Sequence, residues 1–121
     1  MISYEVTARL DKRIAEEYER YLREEHIPDL MATGCFLEAT FARQEEVKVA
    51  NDDPWIRFRS SYLAPDRAAL ERYFREHAER LRGDALARFP AGLEPTREEW
   101  ALVERWKGDE PADGGDDDGA A

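Results

Sequence analysis

Two stretches alternate between apolar and polar residues, Ile2–Leu10 and Trp55–Leu63, and each is followed by a segment with helical apolar spacing. A third strand-like run, CFLEATFAR (Cys35–Arg43), stands between them, and a fourth segment follows the second helical pattern. This β-α-β-β-α-β order predicts an α+β fold of the ferredoxin-like kind, a four-stranded antiparallel sheet with two helices on one face.

The first strand places Ile2, Tyr4, Val6, Ala8 and Leu10 on one side and Ser3, Glu5, Thr7 and Arg9 on the other. Asp11 then occupies an N-cap position before IAEEYERYLREE, where Ile14, Tyr18, Tyr21 and Leu22 share one helical stripe. Pro28 disfavours helix at Ile27, so the first helix is expected to end near His26. Asp29–Met31 fits one further turn, and Gly34 fits a left-handed stop. The connection Glu45–Asp53 is polar and holds the turn signal NDDP, which predicts a hairpin between the second and third strands. In the third strand Ile56, Phe58 and Tyr62 share a face, with Arg57, Arg59 and Ser61 opposite. Pro65-Asp66 opens the second helix, whose expected seam is Leu70, Phe74, His77 and Leu81, flanked by Tyr73 and Ala78. Pro90 and Gly92 close that segment. The last strand is expected near Glu99–Glu104, although EEWALVER also fits a helix.

The chain has 121 residues and a net charge of −10, with 38% charged and 42% hydrophobic residues. The segment Lys107–Ala121 carries six acidic residues and one lysine, a net of −5. It divides the chain into an expected domain at 1–106 and an expected disordered Asp/Gly-rich tail at 107–121. The remaining 22 acidic and 17 basic side chains make the domain mildly acidic, which disfavours phosphate and nucleic-acid binding. The single cysteine excludes an internal disulfide and suits a reducing cytoplasm. No signal-peptide core or membrane span is apparent. Motifs for metal, nucleotide or another cofactor are lacking, so none is expected. An RNA-recognition domain shares the strand order but stacks bases on exposed aromatics of its first and third strands; here Tyr4 and Phe58 fall on the core face.

The opening MISYEVTARLD, the segment EEHIPDLMATGCF and the helix end RYFREHAERLR resemble a family of short bacterial proteins classed as a domain of unknown function. The likeness spans about residues 1–105. It implies a ferredoxin-like protomer similar to the dimeric α/β-barrel group, which pairs its sheet with that of a second protomer. It implies no particular reaction.

His26 is the weak catalytic candidate, a helix-end imidazole suited to proton transfer near neutral pH and equally suited to meeting the last helical carbonyls. Cys35 reads as a packing thiol. The expected ligand-binding set is the polar sheet face: Glu5, Thr7, Glu38, Trp55, Arg57 and Arg59. Arg57 and Arg59 are two residues apart on a strand and must face the same way, ready for a carboxylate or other small anion. Glu5 and Thr7 are expected across from them, with Glu38 joining from the second strand. Covered by a second protomer, this face would enclose a polar cavity in a homodimer. The alternatives are an ion-paired dimerisation or regulatory interface without a ligand and, more remotely, an RNA-binding module.

Overall fold

A computed structural model of the chain describes residues 1–45 and 53–109. Most of the expected long loop at 47–53 and the tail from residue 110 therefore lie outside the described residues. Four strands, β1 (Ile2–Asp11), β2 (Glu38–Arg43), β3 (Trp55–Ala64) and β4 (Leu93–Ala101), form an antiparallel sheet in the order β2-β3-β1-β4. The two long alternating strands occupy the centre, where each has one face to bury and one to leave open. Their register sets Thr7 opposite Arg59, Ala8 opposite Phe58 and Arg9 opposite Arg57. The ferredoxin-like α+β fold expected from the sequence is the fold observed.

Helices cover one face only. Asp11 caps the first helical segment by accepting from the Arg13 amide at 2.8 Å, and a 3-10 turn leads into α1 (Ala15–Tyr21). The helix does not stop at His26 as expected. It widens into a π turn over Leu22–His26, in which the Ile27 amide donates to the Leu22 carbonyl, and continues as α2 (Ile27–Met31). Pro28 explains the form of the irregularity. It has no amide to offer the Glu24 carbonyl, and the ladder absorbs the lost bond by taking in one extra residue. Gly34 then turns the chain at φ 77°, as anticipated.

The second helical segment is also two helices, α3 (Arg67–Glu76) and α4 (Ala78–Arg88), broken at His77, where φ is −130°. The break turns the buried seam from Phe74 and His77 towards Leu70, Tyr73, Ala78 and Leu81. Two further expectations shift. β2 begins at Glu38, because Cys35 and Phe36 are buried as packing residues before the ladder starts. β4 lies at Leu93–Ala101, with Leu93 opposite Leu10. As an edge strand it accommodates Pro95 and shows none of the alternation that marks β1.

Between sheet and helices the core forms two clusters. One gathers Tyr4, Leu30, Cys35, Phe36, Tyr62, Leu70, Tyr73 and Leu81; the other gathers Ala8, Leu10, Tyr18, Leu22, Phe58 and Phe89. Beyond β4, Leu102–Asp109 is exposed and contributes no core residue. Removing Gly108–Ala121 is therefore expected to leave the melting temperature unchanged within about two degrees. A larger drop in a thermal melt would place the segment against the domain.

Candidate functional site

The residues expected to bind a ligand all come to the open sheet face. Glu5, Thr7 and Arg9 of β1 alternate away from the helices, as do Trp55, Arg57 and Arg59 of β3 and Glu38 of β2. The register corrects one detail. Thr7 does lie across from Arg59, but Glu5 pairs with Ser61 on one side and Glu98 on the other, and Glu38 pairs with Leu63. Glu5 therefore lies across from neither arginine, contrary to expectation. Glu5 instead accepts from the Ser3 hydroxyl at 3.2 Å, and Arg57 and Arg59 have no carboxylate partner among the described residues. Arg9 meets Glu94 at 2.8 Å and lies over the Trp55 ring at 4.0 Å. The face is uneven along the strands, with Arg57, Arg59 and the Arg9–Glu94 pair towards one end and Glu5, Glu38 and Glu98 towards the other. A shallow hollow of about 220 Å³ adjoins Thr7, Arg57 and Arg59.

A different concavity lies on the helix side and was not foreseen. A partly open hollow of about 300 Å³ lies between the sheet, the π turn and α4. Tyr4, Tyr18, Tyr62 and Tyr73 line it, with Leu22, Leu30 and Phe89 as apolar wall. The π turn places Leu22 and His26 together at this wall, since both belong to its single widened coil. Arg97 reaches it from β4, where the register puts it on the helix face opposite Val6. Arg82 reaches it from α4 and donates to the Tyr4 hydroxyl at 3.0 Å. Among the described residues no aspartate or glutamate lines this space. A larger open groove, about 650 Å³ beside α1, is charged on both signs: Glu19 there meets Arg43 at 2.6 Å and Arg23 at 3.8 Å. Arg23 and Arg43 there are thus already met by Glu19.

Burial controls protonation in the helix-side cavity. It pushes the Tyr18, Tyr62 and Tyr73 phenols well above their usual range, so all three stay protonated at neutral pH. It also lowers the His26 pKa below 6.5; Asp29 and Asp84 pull it back up, and Arg97 pushes it further down. His26 Nδ1 is buried and has no hydrogen-bond partner. The imidazole is therefore neutral near pH 7. As pH falls below about 6.5, the unfolded chain takes up a proton at this position that the folded chain resists, so His26 lowers stability on the acid side. Urea titrations above and below pH 6.5 are expected to show a flatter decline for His26→Gln than for wild type. Parallel pH profiles would show that His26 is not desolvated.

The other sequence candidates do not form a site. Cys35 is fully buried, its Sγ 4.0 Å from the Thr33 carbonyl oxygen, within the apolar cluster of Tyr4 and Leu30. Among the described residues no group of histidine, cysteine, aspartate or glutamate side chains has the geometry to hold a metal ion, and no helix is long and apolar enough to cross a membrane. The hidden cavity had one available signal: Arg97 shares its strand face with Leu93 and Pro95 inside an otherwise acidic segment.

Fold and cavity together define a ferredoxin-like α+β protein with a mainly apolar space, edged by polar groups, beneath its helices. The chain belongs to the family described as a domain of unknown function, DUF4286, whose model matches residues 1–99. No curated protein matches it. Among solved structures it is similar to an ethyl tert-butyl ether D family protein from Bacillus halodurans, at 12% identity and a TM-score of 0.63, over 85% of this chain and 100% of that one. HapK from Hahella chejuensis is similar at 16% identity and a TM-score of 0.59, over 90% and 99% of the two chains. A dimeric ferredoxin-like protein from an uncultured marine organism matches at 10% identity and a TM-score of 0.53, over 89% and 100%. At these identities the likeness is one of fold.

Proposed function

We propose that this chain is a small-molecule-binding protein that works as a homodimer, with a second copy on the open sheet face and the ligand between sheet and helices. The observation that carries the reading is the helix-side cavity of about 300 Å³, whose wall holds buried phenols and an unpartnered imidazole. Its volume is at the lower end of the roughly 300–1,000 Å³ typical of ligand pockets. His26 is the group there best suited to move a proton, since its neutral ring can accept one.

Charge complementarity supports the pairing. A two-fold axis running across the strands lays the arginine end of one open face on the glutamate end of the other. Arg57 and Arg59 then meet carboxylates that no described residue of the single chain gives them, and the half-buried Trp55 and exposed Trp100 add apolar area. In a second reading, drawn first from the sequence as the set Glu5, Thr7, Glu38, Trp55, Arg57 and Arg59, the open face holds a small anion in the hollow beside Thr7, Arg57 and Arg59. Sedimentation at micromolar concentration separates the two. A dimer that Arg57→Glu/Arg59→Glu dissociates supports the interface, whereas a wild-type monomer would rule it out. A dimer that survives the reversal but loses a thermal shift with citrate would favour the second reading.

A further inference from the structure

Every polar side chain that characterises the helix-side cavity can donate. Tyr18, Tyr62 and Tyr73 keep their hydroxyl protons, and Arg82 and Arg97 bring guanidinium groups. Neither arginine has a carboxylate partner among the described residues, although Arg9, Arg43, Arg67 and Arg88 each meet one. Both arginines are exposed and reach the cavity from its rim, and in a chain with 28 acidic residues no carboxylate joins them among the described lining residues. The rest of the wall includes apolar residues, with Leu22, Leu30 and Phe89 all nearly inaccessible to solvent. The space is amphipathic, combining two cations with an apolar wall.

We infer that the ligand is a small amphipathic carboxylate, its anionic head held by Arg97 and Arg82 and its apolar body against Leu22, Leu30 and Phe89. The inference rests on the cavity reading above and adds the ligand's class to it. A planar guanidinium fork matches a carboxylate in two parallel hydrogen bonds, and the tyrosine hydroxyls can serve its remaining lone pairs. Close to 300 Å³ admits one ring or a short chain and excludes large polycyclic molecules. The net charge of −10 repels anions at long range, so selectivity for them must come from these two local cations.

The test uses the full chain and two matched probe pairs, phenylacetate with phenylacetamide and hexanoate with hexanamide, followed by calorimetry and by NMR of the His26 ring. Each acid is expected to bind about tenfold or more tighter than its amide, the scale of one charge-assisted bond. Arg97→Gln should remove that preference while leaving the amide affinity unchanged, and Arg97→Lys should restore part of it. Leu86→Trp, an exposed residue on the cavity lining, should block acid and amide alike without touching the core. Acids and amides that bind equally, and are both blocked by Leu86→Trp, would overturn the ligand class and leave the cavity reading standing. Probes that do not bind wild type, or bind Leu86→Trp equally well, would overturn both. Circular dichroism of each variant confirms that any loss is not unfolding.

Discussion

Phe58→Ala is expected to cost about 3–5 kcal/mol of stability, the range for truncating a well-buried phenylalanine. Phe58 lies at the middle of β3, one of the two central strands, and is 2% exposed. Its ring stacks on Phe41 of β2 at 5.5 Å and tilts against Tyr18 of α1 at 5.4 Å. One side chain thus joins the edge strand, the central strand and the first helix. The backbone around it is held by two hydrogen-bonded neighbours and cannot collapse into the void, which places the cost high in the range. Urea unfolding monitored by circular dichroism measures it directly. A loss below about 1 kcal/mol would mean that the helices do not pack on this face.

That face was legible in the sequence because β1 and β3 each have one buried and one open side. Period-two alternation at Ile2–Leu10 and Ile56–Tyr62 then states both the strand and its orientation. The same logic found the open-face set, since Arg57 and Arg59 at two-residue spacing must share a side. Register was less legible. Nothing within β1 alone says that Glu5 faces Ser61 and not Arg59; that offset is set jointly by the hairpin and the helical crossover. Pro28 was read by a local rule that tertiary packing outweighed. Burying Leu30 with Leu70 and Leu81 gives the chain reason to continue past the proline, and a π turn accommodates the missing amide. β4 was misplaced because an edge strand with Pro95 has little alternation to show. The cavity was least legible of all. Its wall takes Tyr4 from β1, His26 from the π turn, Tyr73 from α3, Arg82 from α4 and Arg97 from β4. Segments so far apart in sequence are brought together only by the fold, so no spacing within one segment announces them.

Tyr73→Ala is expected to be the second costly substitution, at about 3–5 kcal/mol, whereas Phe74→Ala should cost only about 1 kcal/mol. Helical spacing alone put Phe74 on the seam. The break at His77 instead turns Tyr73 inward, to 2% exposure, with its ring 5.1 Å from Phe36 and 5.8 Å from Tyr4. Phe74 is half-buried, edge-on to Tyr4 at 5.3 Å and partly covered by Arg82. If chemical denaturation gave Phe74→Ala the larger loss, the seam would follow the unbroken helix and the break would be wrong. Tyr73 also belongs to the cavity wall, which makes its two parts separable. The ring supports the fold, and the hydroxyl, kept protonated by burial, is available as a donor in the proposed ligand site. Tyr73→Phe should accordingly change stability by about 1 kcal/mol or less, the net worth of one hydrogen bond. The same variant should bind phenylacetate several-fold more weakly than wild type, because it removes a donor and leaves the wall in place. A Tyr73→Phe protein that unfolded as readily as Tyr73→Ala would mean that the hydroxyl serves the fold and not the cavity.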